Sequence, residues 1–407
     1  MILLDAKKND ENILYQESPF NGKIGLFIDD YFPIVDGVVR VVDNYATQFS
    51  QRNIPVTVFC PHCKSFDDSK LSYAVQRVAS LNVLGFEYPV PAPKLTRGLK
   101  KKLLKDDYAL FHIHSPFFMG RYALKIAKKK KIPVIATFHS KFYDDFLQIT
   151  KSKTLAKWLT RYVVRSFEKC DEVWAVNESS KKTLFQYGFK GDISVMENGT
   201  HFVYPKEREN YRKIARKNLN LTDEFVLLFV GHLIWQKNIQ LILDSLKLLK
   251  DERFKYKMLF VGEGGNEKQV HKYCEKLGLN DQVTFLGALK EKEELQKIYA
   301  CADLFYFPSL YDTFSLVLRE ASVMKVPSLL AKDSNCSEKV IDNYNGYLAE
   351  PTAECMAQRI KEIFANVDQL SQIGETASKT IPETWSKVID KVVIEYDRVI
   401  KTYQNKK

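Results

Sequence analysis

The sequence predicts an α/β fold of two doubly wound, Rossmann-like parallel sheets in tandem. Three observations carry that reading. Short apolar runs alternate with helical stretches from residue 23 to 187, the alternation starts again at 226, and Asn198-Gly199 followed by Pro205 interrupts the chain between them. Such alternation implies βαβ units whose strands are buried on both faces.

In the first half the apolar runs are Lys23–Ile28, Val56–Phe59, Ala109–Ile113, Val134–Phe138 and Glu172–Val176. Each is short, rich in β-branched or aromatic residues, and followed by a polar turn. Helical patterns cover Val38–Gln51, Arg121–Lys130, Thr154–Glu168 and Ser179–Tyr187. The second half gives strands at Val226–Val230, Lys257–Val261, Val283–Leu286, Leu304–Phe307 and Ser328–Leu330. Its helices fall at Ile239–Leu249, Glu267–Lys276, Glu293–Ala300 and Ser315–Met324, and an amphipathic helix runs over Thr384–Tyr403. The expected organisation is an extension over 1–22, a first domain over 23–202, a second over 203–380, and a C-terminal helix within 381–407 that packs back on the first domain. Ligands of open α/β sheets bind beyond the carboxyl ends of the strands, so the expected site is a cleft between two such edges.

Composition excludes several classes. Apolar residues make up 45% of the 407 and charged residues 27%, ordinary for a folded globular chain. The seven cysteines are scattered, which argues against a disulfide framework and for a reducing, cytoplasmic compartment. No run reaches the roughly 18 apolar residues of a spanning helix. Asp5, Lys7, Lys8 and Asp10 interrupt the start of the chain, so no signal-peptide pattern forms. The net charge of +11 is uneven: residues 1–200 carry 30 Lys/Arg against 21 Asp/Glu, and the remainder 31 against 29. A basic first half points to an anionic partner.

The sharpest motif lies at 307–320, FPSLYDTFSLVLRE. An apolar strand ends at Pro308-Ser309, a loop holds Asp312, and a helix carries Glu320. The amides of Thr313, Phe314 and Ser315, with Leu316 beside them, are expected at the helix N-terminus, where free N–H groups and the dipole favour a phosphate. Asp312 can accept from sugar hydroxyls and Glu320 from a ribose diol. Asp36-Gly37-Val38 precedes a helix, and the amides of Gly37 and Val38 could also meet a phosphate. His139 closes a buried strand and opens a polar loop, the position where site residues collect. His114 holds a similar place one strand away, whereas His112 alternates inward and reads as structural.

These residues resemble the retaining family 4 glycosyltransferases of GT-B fold. The family form P-S-x-x-E-x-x-G-L-x-x-x-E-A is close to PSLYDTFSLVLREA. In order along the chain, YFPIVDGV at 31–38 resembles the acceptor-side loop and ATFHS at 136–140 the segment of the active-site histidine. VGHLIWQKN at 230–238 resembles the donor-phosphate segment, VGEGG at 261–265 the V-G-x-G, and Phe285-Leu286-Gly287 the F-x-G near the base. Asn198-Gly199 and Asn345-Gly346 match the family's two N-G turns.

The resemblance implies a hexosyltransferase that takes a UDP-sugar as substrate, with no cofactor and no metal. His139, Asp312 and Lys237 would serve the reacting centre. Gly37, Val38, Gly231, His232, Lys237, Gly264, Leu286, Thr313, Phe314, Ser315, Leu316 and Glu320 would hold the donor, and His114, Phe117, His139 and Tyr143 would line the acceptor.

Two departures stand out. The family's Arg after the first Gly is His232, and its following acid is Gln236. That Arg helps hold the departing diphosphate, and a histidine carries a full charge only part of the time near neutral pH. Lys237 is kept, and Arg319 is a nearby substitute. Asp312 stands where the family has Glu, which keeps the charge and shortens the reach.

Cys60-Pro61-His62-Cys63 ends a strand rather than opening a helix, and no second Cys/His pair stands at zinc spacing, so neither a thiol-redox nor a zinc reading fits. Lys153, Lys157, Arg161, Arg165 and Lys169 recur every four residues on one helix, with Leu155, Trp158, Leu159, Tyr162, Val163 and Phe167 expected on its other face. A cationic helix with aromatics suits anionic lipid headgroups. Lys94–Lys105, which includes Lys101, and Lys128–Lys131 add basic patches. No zinc finger, RNP-type or helix-turn-helix signature supports nucleic acid as the partner.

The expected protein is peripheral at the inner face of the cell membrane and transfers a hexose, with glucose favoured, to a lipid such as diacylglycerol or a polyprenyl-linked sugar. The alternatives are a capsule or exopolysaccharide transferase and a non-catalytic nucleotide-binding subunit.

Overall fold

A computed structural model describes residues 6–9, 12–15, 18–34, 36–63, 65–82, 89–289 and 291–406. These residues divide into two compact units. One holds the described residues up to Gly199 together with those from Thr384 onward, and the other holds Thr200–Glu383.

Among the described residues the strands, in chain order, are β1 (Ala6–Asn9), β2 (Asn12–Tyr15), β3 (Lys23–Phe27), β4 (Val56–Pro61), β5 (Ala74–Val78), β6 (Ser80–Leu81), β7 (Val90–Pro91), β8 (Tyr108–Ile113), β9 (Val134–Phe138), β10 (Glu172–Ala175), β11 (Ser194–Val195), β12 (Phe225–Val230), β13 (Tyr256–Val261), β14 (Val283–Phe285), β15 (Leu304–Phe307), β16 (Ser328–Ala331) and β17 (Tyr347–Ala349). The helices are α1 (Gly37–Gln51), α2 (Leu99–Lys105), α3 (Phe118–Lys130), α4 (Phe142–Thr150), α5 (Lys153–Phe167), α6 (Glu178–Gln186), α7 (Arg208–Asn218), α8 (Ile239–Asp251), α9 (Glu267–Lys276), α10 (Lys292–Cys301), α11 (Leu316–Val323), α12 (Ala353–Ala365), α13 (Val367–Thr380) and α14 (Trp385–Asn405).

The first unit is built on a parallel sheet of order β11-β10-β9-β8-β3-β4-β5. Strand β3 has β4 on one side and β8 on the other, so the order reverses between β3 and β8, the place where such sheets open a crevice at their carboxyl edge. Every residue of β4, β8 and β9 is buried, as a parallel strand covered on both faces requires. Helix α14 packs on α1, burying Val388, Val392 and Tyr396 in the cluster that holds Val39, Val42 and Phe49. Arg52, also enclosed there, bonds Asp390 at 3.1 Å and the Ser386 carbonyl at 3.0 Å. A buried guanidinium with several acceptors escapes the cost of an unpaired charge.

The second unit repeats the plan with a parallel sheet of order β14-β13-β12-β15-β16-β17, reversing between β12 and β15. Its core runs continuously from Val226–Val230 through Phe305 and Phe307 to Ile360 and Ile363.

The strands and helices expected from periodicity are all present within a few residues. Those not expected are the strands β1, β2, β5, β6, β7, β11 and β17 and the helices α2, α4, α7, α12 and α13. The loop expected after His139 is helical from Phe142, because Phe142 is buried against Phe117, Phe138 and Phe167, and Asp144 and Asp145 sit in its first turn. Much of the expected extension over 1–22 lies outside the described residues. Among the described residues no helix is long and apolar enough to cross a membrane.

Candidate active site

In the second unit the two loops flanking the sheet reversal meet. Lys237, in the 3-10 turn after β12, places Nζ 2.7 Å from Oδ1 of Asp312, which follows β15. The other carboxylate oxygen of Asp312 accepts from Ser309 Oγ at 2.6 Å, and Ser309 is fully buried. Asn238 donates its side-chain amide to the Pro308 carbonyl at 2.9 Å, tying the two loops together. Lys237 Nζ also lies 5.3 Å from the centre of the Phe307 ring. The pair is mostly enclosed, its side chains 12% and 20% exposed.

The floor beneath is backbone. Gly231 donates its N–H to Val261 O at 2.9 Å, and Gly262 donates to Gly287 O at 2.8 Å. A Cβ on Gly262 would fall 2.1 Å from Gly231 O, and its φ of +130 is one that side chains rarely allow. Gly264 lies in the turn before α9, its carbonyl accepting from Glu267 N at 3.0 Å. The Leu286 amide donates to Phe260 O at 2.8 Å, and its partly buried side chain packs against the core of the unit. His232 is exposed on the loop rim.

Helix α11 begins at Leu316, one residue later than expected. Its cap is Ser315, at φ +58, whose Oγ accepts from Leu318 N at 3.3 Å. The amides of Thr313, Phe314 and Ser315 therefore lie just ahead of the helix rather than within its first turn. Glu320 is 5% exposed, and Tyr299, itself wholly buried on α10, donates its hydroxyl to Glu320 Oε2 at 3.1 Å. Arg319 does not replace the missing Arg of the phosphate loop. It is buried, its guanidinium lies 3.6 Å over the Phe314 ring, and it donates to the carbonyls of Phe314 and Ser315. Its charge holds the loop's own shape.

In the first unit His139 follows β9 and His114 follows β8. His114 Nδ1 and His139 Nε2 are 3.0 Å apart, so one ring donates to the other. His114, expected to line the acceptor, is 3% exposed and enclosed by Tyr45, His112 and His139; it supports His139 from behind. Burial pushes the His139 imidazole down to about 3 and holds His114 well below the usual histidine range, so both rings are neutral at physiological pH. His112 bonds Tyr396 at 2.6 Å and Thr137 at 2.7 Å, and serves the core.

Phe117 stands edge-on to Phe142, and Tyr143 is half-buried one residue further along α4. Gly37 opens α1 beside the cap Asp36, which accepts from Val39 N at 2.7 Å. Among the described residues, a Cβ on Gly37 would meet nothing within 4 Å.

Helix α5 sorts its side chains differently from expectation. Val163 and Phe167 face the core, whereas Leu155, Trp158 and Tyr162 are exposed among Lys153, Lys157 and Arg165. The helix is long enough for a narrow stripe to seal the core and leave the aromatics outside. Trp158 stacks on Tyr162 at 5.8 Å, and Arg121 lies 3.5 Å over the Tyr162 ring. Arg161 is turned aside to Glu168 at 2.7 Å. Lys101 is exposed on α2.

Sequence reasoning missed Ser309, Asn238 and Tyr299. Ser309 was legible as a serine three residues before Asp312 on a tight turn; Tyr299 came from another helix and left no local signal. Asp29, which it did not single out as functional, accepts from Met119 N through Oδ1 at 2.9 Å, at the start of α3. Burial raises that carboxyl to about 7.

Comparison with known proteins accounts for both units. Residues 210–380 match the model described as glycosyl transferases group 1, and residues 35–202 match Glycosyltransferase Family 4. The chain is 27% identical over 334 residues to alpha-monoglucosyldiacylglycerol synthase of Streptococcus pneumoniae, covering 80% of this chain and 75% of that protein. It is 24% identical over 375 residues to the enzyme of the same name from Acholeplasma laidlawii, covering 87% and 91%. Its fold is shared with Anabaena HepE, solved in complex with UDP and glucose, at a TM-score of 0.75, 18% identity, and coverage of 92% of this chain and 99% of the other. With one matched domain in each unit, this chain is a glycosyltransferase of GT-B fold, belonging to the family 4 and group 1 glycosyltransferases.

Proposed function

We propose that this glycosyltransferase moves a hexose, glucose in the first instance, from a UDP-sugar to a membrane lipid bearing a free hydroxyl, with retention of configuration. Diacylglycerol and a polyprenyl-linked sugar are the acceptors of that chemistry. The observation that carries the reading is the outer face of α5, where Trp158, Tyr162 and Leu155 are exposed among Lys153, Lys157 and Arg165. Each basic residue near an anionic surface contributes about 1 kcal/mol, and exposed aromatics settle at the headgroup level. Two relatives named for diacylglycerol glucosylation support the same acceptor.

In this reading Lys237 draws the diphosphate, Glu320 takes the ribose diol, and Asp312 accepts from sugar hydroxyls. The loop amides of residues 313–316 add donors to the phosphates. The glycosidic C1–O bond to the diphosphate breaks while the acceptor oxygen bonds C1 on the same face, and the hydroxyl proton passes to the departing phosphate oxygen. A fixed positive charge at the developing anion is the largest electrostatic contribution to such a step. His139, neutral and braced by His114, lines the reacting centre as a hydrogen-bonding group. Phe117 and Tyr143 present aromatic surface to the lipid.

The test is UDP release from a panel of UDP-sugars, with and without vesicles containing diacylglycerol and phosphatidylglycerol. Release that requires the vesicles supports the reading. Equal release on a soluble glycan acceptor, without vesicles, would replace it with a polysaccharide transferase.

A further inference from the structure

The two side chains assigned to different parts of the donor are bonded to each other. Lys237, assigned to the diphosphate, is bonded to Asp312, assigned to the sugar, at 2.7 Å. Asp312 is held at both its side chain and its backbone: Ser309 Oγ donates to its other carboxylate oxygen at 2.6 Å, its own N–H donates to Ser309 Oγ at 3.3 Å, and Cys336 Sγ donates to its carbonyl at 3.3 Å. The carboxylate therefore stays where it is when a ligand arrives, and Lys237, on a flexible stem, is the partner that moves.

We propose that Asp312 makes this site discriminate between sugar-loaded and bare nucleotide diphosphate; the inference rests on the donor reading above. A diphosphate that enters must draw Lys237 away and sit beside an uncompensated carboxylate. A nucleotide sugar brings hydroxyls that donate to Asp312 and replace the lost ammonium. A bare nucleotide diphosphate brings none, so Asp312 competes for Lys237 and repels the phosphates. The product of transfer is thereby weakened relative to the substrate, and its release follows from the re-formed ion pair. Differential binding of this kind arises because a partly buried charge left without a partner is costly.

The experiment is calorimetric titration of the full chain with UDP. Asp312→Asn keeps the shape and the Ser309 contact and removes the charge. It should bind UDP about tenfold more tightly than wild type, between the few-fold effect of an exposed pair and the hundredfold of a desolvated one. UDP should become a correspondingly stronger product inhibitor of any residual transfer. Unchanged or weaker UDP binding by Asp312→Asn with a native circular dichroism spectrum would overturn the inference. Ser309→Ala gives an independent arm, because a carboxylate with one donor fewer holds Lys237 harder: UDP should bind several-fold more weakly, and unchanged binding counts against the proposal. If wild type itself binds no UDP, the donor reading fails and the inference with it.

Discussion

Tyr299→Phe is the most informative single change at the donor side. The hydroxyl donates to Glu320 Oε2 at 3.1 Å and lies 3.3 Å from Val317 O; the charged acceptor at the shorter distance takes most of the bond. Both side chains are buried, Tyr299 wholly and Glu320 to within 5%. A hydrogen bond to a buried charged group contributes about 1.5–3 kcal/mol, so the variant should lose stability of that order. The functional consequence follows from the role given to Glu320. A Glu320 that Tyr299 no longer holds in orientation presents its oxygens to the ribose less well, and roughly a third of that energy reaching the ligand raises the donor KM about twofold to fivefold with little change in kcat. In a Glu320→Gln background the same substitution should cost much less, since no charge is left to satisfy. Steady-state kinetics with varied UDP-sugar, beside thermal unfolding, separates the outcomes. A fall in Tm with donor KM and kcat both unchanged would refute the link between Tyr299 and the ligand.

Three further outcomes are expected. Because burial holds His139 at about 3 in the folded chain against an ordinary 6.5, its ring is neutral at every physiological pH. The pH–rate profile should show no inflection between pH 5 and 8 that the His139→Gln substitution removes. The unfolded chain binds that proton first, so stability is complete above pH 6.5 and falls by up to about 1.4 kcal/mol per unit as pH drops from there toward 3; denaturant titrations of wild type and His139→Gln at pH 7 and 5 check the slope. Trp158→Ala combined with Lys153→Glu and Lys157→Glu should weaken binding to phosphatidylglycerol vesicles at least tenfold in sedimentation while leaving UDP binding intact. Gly199→Ala should destabilise the first unit by more than about 2 kcal/mol, since its Cβ would lie 2.6 Å from the backbone of Trp385, and proteolysis should report it.

The fold was legible because parallel strands buried on both faces leave continuous apolar runs. Glu267–Lys276 and Leu304–Phe307 are read from the sequence to the residue. Helices α12 and α13 were not expected, although α12 buries Met356, Ile360 and Ile363 at helical spacing. Helix α4 was hidden because its start is fixed by long-range aromatic packing of Phe142, not by a cap. At the candidate site the residue types were legible and their partners were not. Lys237 and Asp312 stand 75 residues apart, and only the strand order β12 beside β15 brings their loops together. Arg319 read as a substitute for the family's Arg because sequence gives its charge and not its burial. On α5 the repeat of basic residues was correct, but which aromatics the core would claim depended on the neighbouring helices and sheet.

The central claim is transfer of a hexose to a lipid hydroxyl. The most direct measurement is to incubate the full chain with UDP-glucose and diacylglycerol vesicles, extract the lipid, and identify it by mass spectrometry and by the anomeric proton coupling. A monoglucosylated diacylglycerol with the α coupling, absent when Lys237→Met replaces wild type, is the expected result. A β-linked product would contradict retention, and glucose recovered only in a soluble glycan or in water would contradict the lipid acceptor.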